Sequence, residues 1–318
     1  MNLLGARFGI CDDSLLAATG IRRFAMIAQM RSPMLIPRRR VLLFPLVLMP
    51  HARVHAASSE SSVERELIAT VERDEGLLPP LTLGIARVVL RPGASAFAVT
   101  PNGARMIVVE SGVLAVASTS HDAGPLTSVE LATAAPAPTE GGELFVPAGT
   151  TVTFGSLEVA LVRNPGARSV VALDVAVFHE EPRPISRAFT TDDGISFQLL
   201  ASASAAVAPA GRVALALERL RLGASSRLPA DLSYGLALAY VEAGTIELIP
   251  VAGEVFAARA AASTPYSMPG SLQAISLDQN RGITAGGVIF LPVGAECEVV
   301  NTAERTADVL ALSVREIA

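Results

Sequence analysis

The chain repeats itself once, and this duplication limits the possible folds more than any other feature. Arg87-Val-Val-Leu90, followed by Gly93-Ala-Ser95, returns as Arg219-Leu-Arg-Leu222, followed by Gly223-Ala-Ser225. Val109-Glu110-Ser111-Gly112 returns as Val241-Glu242-Ala243-Gly244, and Arg87 to Arg219 and Glu110 to Glu242 are both separations of 132 residues. Leu144 to Gly149 matches Ile289 to Gly294, with Pro147 against Pro292. Arg163-Asn164, followed by Val170 to Leu173, matches Val300-Asn301, followed by Val309 to Leu312. Four landmarks in one order imply two homologous domains. A solenoid needs a shorter period and more copies.

The texture of each copy is that of short strands. Ile85–Leu90, Met106–Val109, Val113–Ala117, Leu157–Val162 and Val170–Val177 are apolar runs of strand length. Between them lie Arg91-Pro92-Gly93, Pro101-Asn102-Gly103, Glu110-Ser111-Gly112 and Asn164-Pro165-Gly166. Glycine admits positive φ and proline presets φ while withholding a ladder donor, so each cluster reverses the chain. Strands so spaced predict an all-β fold of sandwiches or barrels.

Domain limits follow from composition. Residues 57–80 are polar and charged at their centre and read as a flexible or helical lead-in. The first β domain is expected over 81–178 and the second over 195–318. Between them, His179-Glu-Glu-Pro-Arg-Pro184 opens a charged, proline-rich linker over 179–194. The Ala/Ser stretch 201–210 reads as a loop or an edge segment.

Residues 1–56 read as a targeting segment. Arg38-Arg39-Arg40 precedes the apolar run Val41 to Pro50, and Val54-His55-Ala56 supplies a small-residue cleavage site. The apolar run is about half the length a bilayer span needs. Export by the twin-arginine or the general secretory route is expected, with cleavage after Ala56 and no membrane span in the mature chain. Of the two cysteines, Cys11 and Cys297, only Cys297 then remains, so no internal disulfide can form.

Charge argues against nucleic acid. Residues 1–56 hold eight Arg against Asp12 and Asp13, so a whole-chain charge of −5 leaves about −11 on the rest. An acidic body without Trp has neither the cationic surface nor the stacking platforms of a nucleic-acid binder.

The landmarks resemble the cupin family, over roughly residues 81–178 and 195–316. One family motif runs Gly, five residues, Pro-x-Gly, two residues, His, three residues, Asn. In the second copy it reads Gly286, Pro292, Gly294, Cys297, Asn301, with Cys297 at the histidine. In the first copy Pro147 and Gly149 fit, Val152 takes the histidine position, and the asparagine arrives late at Asn164. The other motif places His-x-His and Glu between two glycines. Gly93 and Gly112 bracket Val99, Pro101 and Arg105; Gly223 and Gly244 bracket Pro229, Asp231 and Ala237. The resemblance implies two tandem jelly-roll barrels, and in the family three His and one Glu hold a metal inside the barrel. Here Val99, Pro101 and Val152 offer no ligand and Arg105 repels a cation. Asp231 and Cys297 make at most a two-ligand set. No metal or other cofactor is expected.

Candidate pocket residues are therefore Arg105, Asp231, Tyr234 and Cys297. Arg105 reads as a surface strand residue or, if it points into the barrel, as a partner for a carboxylate ligand or half of a buried ion pair. Tyr234 and Asp231 lie near the vestigial ligand positions, and Cys297 is a reactive thiol or a small buried filler. His121 reads as a surface turn and His179 as linker, so no histidine pair is expected to converge. Glu110 and Glu242 read as turn residues. Three functions remain open. The first is a non-catalytic exported bicupin that binds a small molecule or serves structurally, compatible with homo-oligomer formation. The second is a metal-independent isomerase or lyase, and the third a residual-metal enzyme using domain 2.

Overall fold

The structure is a computed structural model that describes residues 62–74, 76–99, 103–118, 127–129, 142–154, 159–179, 194–230, 235–259 and 271–317. The targeting segment expected over 1–56 lies outside the described residues.

Every regular element among the described residues is a β-strand. The first half holds β1 (Val63–Arg73), β2 (Leu81–Leu90), β3 (Ser95–Val99), β4 (Gly103–Ser111), β5 (Val113–Ser118), β6 (Thr127–Val129), β7 (Glu143–Pro147), β8 (Thr151–Phe154), β9 (Val159–Arg163) and β10 (Val170–His179). The second holds β11 (Ile195–Ala205), β12 (Val213–Leu222), β13 (Arg227–Leu228), β14 (Leu236–Ala243), β15 (Thr245–Ala252), β16 (Val255–Ala258), β17 (Gln273–Ile275), β18 (Arg281–Thr284), β19 (Val288–Leu291), β20 (Glu296–Val300) and β21 (Ala307–Glu316).

The strands form two jelly-roll barrels, each a large sheet facing a small one. Barrel 1 pairs the order β11-β2-β10-β4-β8-β6 with β3-β9-β5-β7. Barrel 2 pairs β1-β12-β21-β14-β19-β16-β17 with β13-β20-β15-β18. The outermost strands of the two large sheets are exchanged. β1 comes from the first half but pairs with β12, and β11 comes from the second half but pairs with β2.

The exchange corrects the reading of residues 57–80 as a flexible or helical lead-in. Five of the eleven side chains of β1 are exposed, but Ala69 is 1% exposed and Ile68 and Val71 pack against a core. An edge strand needs only one apolar face, so a charge-rich segment still pairs. β11 likewise takes up the start of the Ala/Ser stretch, as an edge strand of the first-half sheet.

Side-chain alternation divides the large sheets between two cores. In β4, Ala104, Met106 and Val108 face the other half of the molecule, while Ile107 and Val109 face into barrel 1. The same holds in β21, where Leu310, Leu312 and Val314 face the first half and Ala307, Val309 and Ala311 face into barrel 2. The two large sheets thus stack face to face over a shared core that includes Leu83, Ile85, Met106, Leu173, Leu215, Leu217 and Leu312. Each such side chain contributes about 1.5–3 kcal/mol when buried. This shared layer is why the long strands read as nearly continuous apolar runs, since both faces are covered.

Candidate functional site

Hydrogen bonding fixes which residues of the two barrels correspond. Gly149 N donates to Val109 O at 2.8 Å, and Gly286 N donates to Val241 O at 2.8 Å. Val109 N donates to Thr150 O and Val241 N to Gly287 O, both at 3.0 Å. Gly149 therefore matches Gly286, and Pro147 matches Thr284 and not Pro292. β8 pairs Val152 with Ile107, and β19 pairs Ile289 with Ala239. Val152 is thus the counterpart of Ile289, and the counterpart of Cys297 is Ala160. The first-copy motif reads Gly149, Gly155, Leu157, Ala160, Asn164 with every spacing kept, and the asparagine is not late. Leu144-Phe-Val-Pro147 and Ile289-Phe-Leu-Pro292 are alike in sequence but do not occupy equivalent strands.

The other motif shifts by two residues at its start. Ala94 N donates to Arg91 O at 3.0 Å, and Ser226 N donates to Gly223 O at 3.2 Å. Gly93 (φ 77°) therefore matches Ser225 (φ 56°), the second being a non-glycine in the left-handed region. With this register Val99 corresponds to Asp231, while Arg105 still corresponds to Ala237.

The two asparagines are structural. Asn164 is 1% exposed; its Nδ2 donates to the carbonyls of Leu90 (2.9 Å) and Arg168 (2.8 Å), and Gly166 N donates to its Oδ1 (2.9 Å). Asn301 is fully buried and binds Leu222 O, Arg305 O and Ala303 N in the same way. Each amide ties the turn before β10 or β21 to the end of β2 or β12.

Arg105 lies on the barrel-facing side of β4, in register with Ala176 of β10. Its guanidinium grips Asp174 two-pronged, with Nε at 2.7 Å from Oδ1 and Nη2 on Oδ2. The side chains are 19% and 9% exposed. Burial works to lower the Arg105 pKa, but the attraction and hydrogen bonds of Asp174 outweigh it, so the net displacement is upward. Of the readings the sequence allows Arg105, this is the buried ion pair and not the exposed strand residue.

Cys297 faces into barrel 2 among Leu228, Leu248, Val255 and Ile283, and is 8% exposed. Burial alone pushes its thiol up to about 11. A thiol so placed is protonated at neutral pH and fills space. Burial thus disfavours the thiolate, the form that acts as nucleophile or metal ligand. Asp231 and Tyr234 lie outside the described residues, as does His121. His179 ends β10, with Nδ1 at 2.9 Å from Leu78 O.

The family's metal does not fit these residues. Arg105 brings a positive charge where a carboxylate ligand belongs, and Ala237 and Ala160 have no donor atom. Cys297 has its thiolate form suppressed. Among the described residues no cluster of three or more His, Cys, Asp or Glu is arranged to hold a metal ion.

One polar cluster escaped sequence reasoning. Glu110 and Glu242 are not turn residues alone; each sits unpaired at a bulge where β4 or β14 slips against its neighbour. Arg87 Nε stands 3.1 Å from Glu110 and its Nη2 3.2 Å from Glu242. Arg219 Nε stands 2.7 Å from Glu242 and its Nη2 3.3 Å from Glu110. Two repeat-equivalent pairs thus close a four-membered ring between the halves. The usable signal was their common separation. Asp174 carried a signal too: a lone carboxylate inside Val170–Val177, beside a strand with a lone Arg, marks a buried pair.

No protein-family model matches the chain, and no curated protein sequence matches it. Solved structures resemble it in fold. The cupin 2 conserved barrel domain protein from Leptotrichia buccalis is 9% identical with a TM-score of 0.33, covering 79% of this chain and 91% of its own. Oxalate decarboxylase from Lactobacillus farciminis, as a formate complex, is 12% identical with a TM-score of 0.41, covering 80% and 88%. Procruciferin, an 11S globulin from Brassica napus, is 10% identical with a TM-score of 0.37, covering 73% and 77%. The described strands form two jelly-roll barrels packed back to back. The likeness is one of fold alone.

Proposed function

We propose that this chain is an exported bicupin that works without metal and without catalysis, binding a small molecule or serving structurally. One observation supports this above others: the inward positions that hold metal ligands in the family carry Arg105 locked onto Asp174, Ala160, Ala237 and the protonated thiol of Cys297. None of these supplies an acid–base pair poised for proton transfer. Arginine stays charged, its partner is held by two hydrogen bonds, and the thiol is too weak an acid.

The test is elemental analysis of the purified protein beside its Cys297→Ala variant. Neither is expected to carry stoichiometric metal. Near-stoichiometric metal that disappears with Cys297→Ala overturns the reading. Export is tested separately by fusing residues 1–56 to a reporter active only outside the cytoplasm; a silent, correctly expressed fusion refutes it.

A further inference from the structure

The outer faces of the two small sheets differ in chemistry. In β3, β9, β5 and β7 side chains alternate, and Ala98, Val162, Leu114 and Val146 fill barrel 1. The residues between them face away from the barrel. Register places Arg163 beside Ala115 and Phe145 in one row, and Phe97 beside Leu161 in the next, which Glu143 closes. Phe97 is 67% exposed, and Val113, at the start of β5, is 40% exposed. Single exposed apolar residues are ordinary, but a neighbouring set that includes an aromatic ring marks an interaction surface.

Across the middle of this face Arg163 reaches over β5 to Glu143, with Nε 2.6 Å from Oε1 and Nη2 2.5 Å from Oε2. Ala115, which lies between them in β5, is fully buried although it points outward. Barrel 2 is not built this way. The positions of Ala115, Leu161 and Phe145 hold Glu247, Glu298 and Gly282 there. Glu298 pairs with Arg227 at 3.2 Å, so one carboxylate is in excess. The apolar face thus belongs to barrel 1 and is not a requirement of the fold.

Charge decides what this face can meet. Residues 57–318 carry about −11, so two copies repel across most of their surfaces. Here one arginine balances one glutamate. A two-fold axis lying in the face, perpendicular to the line from Arg163 to Glu143, sets each guanidinium over the carboxylate of a second copy and leaves both original pairs intact. Such self-complementarity is what a two-fold interface needs. We propose that barrel 1 docks a second copy of this chain through the outer face of its small sheet. Phe97 of each copy is the apolar anchor, and the two Arg163–Glu143 pairs stack antiparallel. Four strands about 4.8 Å apart and about 17 Å long cover roughly 250 Å2. A standard interface buries about 800 Å2 per partner, so this dimer is a weak one that dissociates at about micromolar concentrations.

The test is sedimentation velocity on the purified protein from about 1 μM to about 1 mM, the span that brackets such an affinity. A reversible monomer–dimer equilibrium is expected. Phe97→Ser should raise the dissociation constant about thirty-fold or more, as loss of an aromatic anchor does. Val251→Ser, at a valine of barrel 2 that is 49% exposed, should leave it unchanged. Arg163→Glu and Glu143→Arg should each be monomeric alone. Mixing the two should restore dimers, since one face is then doubly negative and the other doubly positive. The proposal is overturned by a protein that stays monomeric at the highest concentration, or by a dimer indifferent to Phe97→Ser. A mixture of the two charge variants that stays monomeric, with both shown to be folded by their melts, overturns it as well. The inference does not depend on the functional reading above, and the metal analysis tests that reading separately.

Discussion

Arg87 and Glu242 meet at 3.2 Å across 155 residues of sequence, and they join the two halves of the molecule. The same contact recurs in reverse between Arg219 and Glu110, so each arginine binds the glutamate of its own half and that of the other. The four side chains are 16–32% exposed, shielded enough for the charges to act as a network.

Removing one member should therefore cost more than one ordinary surface pair. Glu242→Gln is expected to lower stability by about 1–2 kcal/mol, and more at low than at high salt. A double-mutant cycle of Arg87→Met with Glu242→Gln, read by denaturant unfolding, should show coupling. Additive effects would refute the network.

The buried pair in barrel 1 behaves differently. Arg105→Leu alone leaves Asp174 without its charge partner in a barrel interior and should destabilise by about 3–5 kcal/mol. Replacing both, as Arg105→Met with Asp174→Leu, should recover most of that loss. Thermal melts of the three proteins give the comparison; a double variant as weak as the single would contradict it.

Cys297 sets a stability change at alkaline pH. Its folded pKa is about 11 against an ordinary 9.0, so the folded state favours the protonated thiol. The contribution is full below pH 9 and is lost as pH rises through 11, amounting to at most about 2–3 kcal/mol. Cys297→Ala should flatten the stability profile between those limits. In the native protein, thiol reagents should react at pH 8 only as fast as the barrel opens.

Ser225 holds a left-handed conformation that its counterpart Gly93 adopts freely. Ser225→Gly should raise stability by about 0.5–1 kcal/mol, since a side chain at positive φ is strained. Gly93→Ser should lower it by a similar amount. Chemical denaturation of both variants checks the pair, and effects of one sign would refute the correspondence.

Much of the fold was legible because the duplication and the turn glycines are local signals. Strand alternation shows which residues share a face but not which sheet a strand joins. For that reason β1 looked like a lead-in and β11 like a domain start. The slips around Gly223 and Pro292 have another cause. Identity was matched where conformation governs: Ser225 does the work of a glycine, and Thr284 stands where Pro147 does. At the candidate site, Arg105 and Cys297 were named from motif spacing, but their roles depend on neighbours. Asp174 is 69 residues from Arg105, and no spacing rule announces it.

The traded edge strands bear on how the chain comes apart. A protease that nicks the sequence between His179 and Ile195 cuts the only covalent crossing at that point, yet each fragment still holds a strand stitched into the other's ladder. The nicked halves should stay together through gel filtration and melt in one transition, as two hands with interlaced fingers do not part when the wrists are freed.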